Sequence, residues 1–250
     1  HLADWTLRMI PFVNLANPLP TTPGTGLTAG QEEALTTASR RQPVASIAAL
    51  KALTPSAGDA VNVLGYAAAG DGGGGTFYYN SASSAADNGG TIIAPTAGGG
   101  RWLRAYSSAI NVRWFGAKGD GATDDTAAIQ AALNLKVSAY IPKGRYVITS
   151  PLNMTNNNSS QTTIFGDGWT ETGSGSVIYA QTGGVAIDCT GSQFLSFRDM
   201  SVVSQGRSTP STIGFLFARA TSPASEYCQF VTMSNVFVDI ASDMTAYGGM

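Results

Sequence analysis

The pattern of apolar and polar positions divides the chain into four stretches. Residues 1–41 contain repeated prolines and glycines that interrupt regular structure, which predicts either an arm that docks on a partner or a flexible leader. Near the start of residues 42–109, Ser46 can cap an amphipathic helix that starts at Ile47. Four short β-like runs separated by glycine-rich loops follow this helix, so we expect a small β module with one helix.

Residues 110–135 predict a neck that ends in a helix. The pattern indicates a strand over residues 111–116, a turn over residues 119–121 and a helix over residues 126–135. Short polar and acidic side chains precede the helix, where the helix dipole favours negative charge. A bound cation or a catalytic role is less favoured, because the cluster lacks the spacing of an EF-hand. We therefore assign a structural helix cap to Thr123, Asp124 and Asp125.

Residues 136–250 predict strand, turn and strand throughout. Residues 194–202 align without gaps with residues 230–238, an offset of 230 − 194 = 36. In both copies an apolar alternation reaches a polar residue, Asp199 or Asn235, and then resumes. We assign these two residues to equivalent corners of a repeating structure.

This repeat indicates a solenoid built from stacked coils. Short strands joined at Asn or Asp corners are typical of a parallel β-helix. The first coil of such a stack would expose an apolar cross-section and unpaired strand edges. We therefore interpret the helix over residues 126–135 as the cap of the β-helix.

Composition and charge exclude several function classes. Charged residues make up only 12% of the 250 residues, and the formal net charge is −2. This balance is unlike that of a protein that binds nucleic acid through counterion release. No stretch approaches the ~20 apolar residues of a membrane span, so we expect no membrane insertion.

Residues for metal or cofactor chemistry are scarce. His1 is the single histidine, which disfavours Ser-His-Asp and Cys-His hydrolysis and the usual zinc sites. For Cys189 and Cys228, two separate buried thiols are favoured over a single bridge. The loop over residues 70–75 lacks the Lys-Ser/Thr of a P-loop, so it indicates a hairpin connection. We predict no metal and no cofactor.

Carboxylates are the remaining candidates for catalysis. Glycoside hydrolysis needs two of them about 5–9 Å apart, and a lyase needs a base beside the sugar. The acidic residues of the predicted β-helix are Asp167, Glu171, Asp188, Asp199, Glu226, Asp239 and Asp243. No two of them stand out as a pair, and loop positions at the surface are favoured for Glu171 and Glu226. Catalytic residues therefore stay unassigned.

Two groups of motifs resemble a known family over residues 43–150. The run NVRWFGAKGDGATDDTAAIQAAL followed by YIPKGRYVI resembles the start of the pectate-lyase-like, right-handed β-helix superfamily, especially its bacteriophage tailspike members. The upstream SIAALKAL, VLGY, GDGGGGTFYYN, ADNGGTII and GRWLRAY are similar to the small particle-proximal domain of tailspikes. The fold expected is mostly β: a small N-terminal β module with one helix, then the first coils of a helix-capped right-handed parallel β-helix over residues 136–250.

The resemblance implies a location and partners. It implies a homotrimer on the virion that contacts other phage tail or adaptor proteins through residues 1–109 and acts on bacterial surface polysaccharide. It transfers no catalytic residues, because family members share no active-site motif. The chain stops just after a strand, so we expect the β-helix and the active site to continue beyond residue 250. The alternatives are a non-catalytic tail adhesin or structural tail component, and a free secreted polysaccharide lyase.

Overall fold

A computed structural model describes residues 42–155, 162–169, 174–204, 213–218 and 230–239. The predicted arm at residues 1–41 lies outside these ranges. The described helices are α1 (Ile47–Ala52), a 3₁₀ helix (Val112–Phe115) and α2 (Thr126–Leu133). The described strands are β1 (Ala60–Val63), β2 (Gly75–Asn80), β3 (Ile92–Ile93), β4 (Arg101–Arg104), β5 (Ile110–Asn111), β6 (Asp120–Asp124), β7 (Ala139–Ile141), β8 (Gly144–Ile148), β9 (Leu152–Asn153), β10 (Thr162–Gly166), β11 (Ser176–Ala180), β12 (Val185–Asp188), β13 (Leu195–Ser204), β14 (Ile213–Leu216) and β15 (Thr232–Asp239).

The N-terminal β module is an antiparallel four-stranded sheet with one helix on its inner face. Its strand order is β1-β2-β4-β3. The Ser46 side chain accepts a hydrogen bond from the Ala49 amide, which caps α1 as predicted. Apolar residues of the helix and the sheet alternate inward and form one buried cluster, namely Ile47, Leu50, Val61, Val63, Phe77, Ile93 and Trp102. The predicted β module with one helix is confirmed.

The second half of the chain is a parallel β-helix of about three coils, which confirms the predicted fold class. One coil contains β7, β8 and β9, the next contains β10, β11 and β12, and a third contains β13 and β14. Strand β15 pairs with β13 and begins a further level. Ser196 lies beside Thr232, so the register reproduces the predicted offset, 232 − 196 = 36.

Helix α2 covers the open end of this stack. Its buried face consists of Ile129, Ala132 and Leu133, which belong to the same apolar cluster as the coil interior. The Gln130 side chain accepts from the Asn153 amide (2.7 Å) and donates to the Asn153 carbonyl (2.8 Å). The side chain thus supplies β9 with hydrogen bonds that a neighbouring strand would otherwise provide.

The neck differs from the sequence-based prediction at two points. Residues 111–116 are mainly a 3₁₀ helix rather than a strand, because the Asn111 side chain accepts from the Arg113 amide and Gly116 ends the turn in the left-handed region. Residues 120–124 form strand β6, where a turn was predicted over residues 119–121. Parallel pairing with β8, a partner more than twenty residues away, extends this segment.

Arg104 joins the β module to the neck. Its guanidinium is buried and donates to the carbonyls of Gly90 (2.9 Å), Gly74 (2.6 Å) and Gly73 (2.8 Å). The same group lies 4.5 Å from the centre of the Phe77 ring and 4.7 Å from the Trp114 ring, which is in the 3₁₀ helix. Burial lowers the pKa of Arg104 to about 10, so the group keeps its charge at neutral pH.

Replacing this guanidinium tests its contribution to stability. Arg104→Met keeps much of the side-chain volume but leaves three carbonyls without their donor. We expect the free energy of unfolding to fall by about 2–4 kcal/mol, measured by chemical denaturation. The matched control is Arg101→Met, because Arg101 also donates to two carbonyls but is only half-buried. Equal losses for the two variants would contradict this role of Arg104.

Candidate functional site

The two predicted corner residues lie side by side on the β-helix surface. Asp199 and Asn235 lie within β13 and β15, and both have left-handed backbone conformations, with φ of 56° and 54°. The Asn235 side-chain amide donates to an Asp199 carboxylate oxygen (2.8 Å). Arg198 lies on the other side of Asp199, with a nitrogen-to-oxygen distance of 3.4 Å. These contacts fit a structural function of Asp199.

A second corner was not predicted from the sequence. Lys136, Phe194 and Phe230 also have positive φ, between 54° and 57°, although bulky residues rarely adopt this conformation. The Phe194 and Phe230 rings stack in parallel, with centroids 4.9 Å apart and an interplanar angle of 4°. The 36-residue offset between the two phenylalanines was the sequence signal that could have revealed this corner.

The three predicted cap residues occupy different places. Thr123 lies in β6 and donates its hydroxyl to Asp120. Asp124 accepts from the amide of Thr126, in the first turn of α2. Asp125 occupies the N-cap position, but its side chain makes no cap hydrogen bond and instead accepts from the amides of Lys118 and Gly119. Burial raises the pKa of this carboxyl, and the two amides oppose the rise.

The outer face of the β-helix carries an aromatic row across neighbouring coils. Adjacent strands place Asn111, Tyr140, Phe165 and Arg198 in consecutive register positions. The Tyr140 and Phe165 rings stack with centroids 5.3 Å apart and an interplanar angle of 29°. The Arg198 guanidinium lies 4.6 Å from the centre of the Phe165 ring. These three planar groups form a shelf on the surface of the β-helix.

An exposed carboxylate borders this shelf. The Tyr140 hydroxyl donates a hydrogen bond to Asp167, with its oxygen 2.6 and 2.7 Å from the two carboxylate oxygens, and the Lys143 amide donates to the same carboxylate at 2.7 Å. Burial, followed by the hydrogen bond and the charge of Asp167, raises the pKa of Tyr140 to about 12. Tyr140 therefore holds its proton at neutral pH and serves as a hydrogen-bond donor rather than a base.

The shelf and the carboxylate line one open groove, which we call the Tyr140 groove. It has a volume of about 410 Å³, and its lining includes Ser108, Ala109, Tyr140, Phe165, Asp167 and Arg198. It therefore combines the apolar edges of stacked rings with a carboxylate, a guanidinium and a hydroxyl. This mixture suits a ligand that has both C–H faces and hydroxyl groups.

The remaining acidic residues and the cysteines form no second candidate site among the described residues. Of the remaining acidic residues, Asp188 accepts from the Thr190 amide and Asp239 ends β15. Glu171, Glu226, Asp243 and Cys228 lie outside the described residues, whereas Cys189 is buried. Within the described ranges, no group of three His, Cys, Asp or Glu side chains is arranged to bind a metal. No helix in that part of the chain is long and apolar enough to cross a membrane.

Comparison with known proteins gives matches to both halves of the chain. Residues 43–107 match the model of the phage tail protein small four-stranded beta-sheet domain, and the structure has a four-stranded sheet there. Residues 109–209 match the model of the rhamnogalacturonase A/epimerase, pectate lyase-like family. The two matches follow one another along the chain, and the fold resembles that of solved tailspike proteins.

Individual relatives agree with this conclusion. The chain is 39% identical over 77 residues to the capsule K3-specific depolymerase 1 of Klebsiella phage KP32. The aligned region covers 25% of this chain and 9% of that protein. It superposes with a TM-score of 0.62 on the enzymatically active domain of tailspike protein 2 of bacteriophage CBA120. That match has 20% identity and covers 82% of this chain and 32% of the other.

The same fold occurs in a protein described as an enzyme that modifies a glycan biofilm. WceF of Pantoea stewartii has a tailspike-like parallel β-helix, with a TM-score of 0.56 and 18% identity. The match covers 79% of this chain and 31% of WceF. This chain thus spans less than a third of the length of each of these three matched chains.

The Tyr140–Asp167 contact predicts a change of stability at high pH. The pKa of Tyr140 is about 12 in the folded protein, against an ordinary value of 10.0. The contribution of the protonated Tyr140 to the free energy of unfolding is therefore complete below pH 10.0 and is lost as pH rises toward about 12. Across this range, wild type should lose more unfolding free energy than Tyr140→Phe, by about 1 kcal/mol or less because water screens the pair. Denaturation curves at several pH values measure this difference, and identical pH profiles would contradict it.

Proposed function

We propose that this chain works in a phage tailspike, attaching to the virion through residues 1–109 and presenting a β-helix that binds and depolymerises bacterial surface polysaccharide. The observation that supports this most directly is the order of the two matches, a phage-tail sheet domain followed at once by a pectate-lyase-like β-helix. The buried Arg104 contacts give the proposal a physical basis, because they connect the two parts closely.

A tail adhesin that binds polysaccharide without cleaving it is the second candidate. This alternative is favoured by the state of the two carboxylates nearest the groove. Asp167 is bonded to Tyr140 and Lys143, and Asp199 to Asn235. Both carboxylates are thus held by structural hydrogen bonds, whereas hydrolysis needs one carboxyl that gives a proton and a second that acts as base or nucleophile.

Depolymerisation separates the two candidates. The whole tailspike protein that contains this chain is incubated with purified capsule or O-antigen from the bacteria that the phage infects, and the polymer chain length is followed by size-exclusion chromatography. We expect the chain length to fall with time, together with a rise in new sugar ends. A polymer that is bound but keeps its length would support the adhesin, and a polymer that is neither bound nor shortened would contradict both candidates.

The proposed assembly is a homotrimer, supported by the outer face of the four-stranded sheet. One cross-strand row on that face is apolar and at least partly exposed in every strand, formed by Ala60, Tyr78, Leu103 and Ile92. Tyr78 is 48% exposed. Its same-face neighbours along β2, Thr76 and Asn80, are uncharged, and the charged Arg101 of β4 lies at the edge of this face beside Asn80.

Sedimentation tests this assembly. We expect the wild-type chain to sediment as a trimer, and Tyr78→Asp to shift the population toward smaller species because it introduces a charge at the centre of the row. Val137→Asp is the matched control, since Val137 is similarly exposed but belongs to the β-helix half. A folded wild-type monomer at micromolar concentration would contradict the trimer.

A further inference from the structure

We propose that the Tyr140 groove is a non-catalytic subsite for an uncharged pyranose unit of the polysaccharide. This inference rests on the proposed function and adds the site, the sugar class and the role of the residues. It depends on the aromatic shelf, the orientation of the groove, its charge and the existing hydrogen bonds of its carboxylate.

The groove is oriented for a polymer. Its lining residues come from successive levels of the stack: Ser108 precedes β5, Tyr140 lies in β7, Phe165 in β10 and Arg198 in β13. Neighbouring strands are about 4.8 Å apart, so three steps correspond to about 14 Å along the helix axis. A groove of this length suits a segment of an extended chain better than a compact ligand.

The lining matches the two kinds of surface on a pyranose ring. Phe165 lies between the Tyr140 ring and the Arg198 guanidinium, so the stack offers the apolar edges of its rings to the C–H groups of the sugar. Asp167 is exposed and keeps acceptor capacity beyond its bonds to Tyr140 and Lys143, so it can accept from sugar hydroxyls. The Tyr140–Asp167 contact holds both groups in place before the ligand arrives.

The charges favour an uncharged sugar over a uronic acid. Among the described residues, the charged side chains that line the groove are Asp167 and Arg198, which have opposite signs. Arg198 lies 3.4 Å from the carboxylate of Asp199, which offsets its attraction for an anion. A sugar carboxylate would therefore be repelled by Asp167, while Asp199 weakens the attraction of Arg198 for it.

The groove can bind but is not arranged to cleave. Retaining or inverting hydrolysis needs one carboxyl that gives a proton and a second that acts as nucleophile or base. Asp167 faces a phenol that keeps its proton, and Asp199 is bonded to Asn235. The subsite would hold the polymer on the β-helix while the reaction takes place elsewhere on the protein.

Direct binding measurements test the subsite. The full chain is applied to an array of purified bacterial capsular and O-antigen polysaccharides, half of them with uronic acids and half without. Polymer chain length is measured in the same samples, which separates binding from cleavage. We expect wild type to bind uncharged polymers, with an affinity that changes less than about twofold between low and high salt.

Two variants alter the groove in different ways. Phe165→Ala removes the centre of the shelf, and Asp167→Asn keeps the shape but weakens the acceptor. Each should bind at least about tenfold more weakly. The matched control is Phe217→Ala, which removes an exposed ring on β-helix surface outside the groove and should leave the affinity unchanged. Circular dichroism confirms that every variant is folded.

The remaining outcomes are distinct from one another. If both folded groove variants bind like wild type, the subsite is wrong and the proposed function stands. Binding restricted to uronic acid polymers and abolished by salt would overturn the uncharged sugar class. If wild type neither binds nor shortens any polymer, the subsite and the proposed function both fail.

Discussion

The first coil of a parallel stack needs an element other than a coil to cover its apolar interior and to provide its backbone with hydrogen bonds. Every strand in such a stack takes hydrogen bonds from the levels above and below, and the interior is continuous apolar surface. In this protein α2 covers the interior, and the Gln130 side chain exchanges two hydrogen bonds with the backbone of Asn153. Asp125 connects the same region to the neck by accepting from Lys118 and Gly119.

This starting layer also determines how closely the β module approaches the β-helix. At Gly90 an added Cβ would lie 2.5 Å from the Phe115 ring, and at Gly116 it would lie 2.6 Å from the Tyr66 ring. Only glycine permits such approaches, so backbone and ring are in direct contact on both sides of the junction. Together with Arg104, these contacts make the junction a packed interface rather than a linker.

Chemistry is concentrated on the outer rows because packing constrains them least. The inner row beside the aromatic shelf runs through Ala139, Ile164 and Phe197, which are all apolar and buried. On the outer row, Tyr140, Phe165 and Arg198 differ in charge and hydrogen-bonding capacity at each level. Neighbouring levels can therefore supply different groups to one ligand while the interior stays unchanged.

The amino-acid sequence by itself determined both helices, most strands outside the neck and the 36-residue offset between β13 and β15, because these depend on local alternation, capping residues and repetition. The tertiary structure decided the 3₁₀ helix of the neck, the left-handed corner at Phe194 and the Tyr140 groove. Along the outer row the spacing changes from 165 − 140 = 25 to 198 − 165 = 33 residues, so no single period reveals which side chains stack. Coils of unequal length bring these residues together through backbone pairing, and that pairing exists only once the coils have formed.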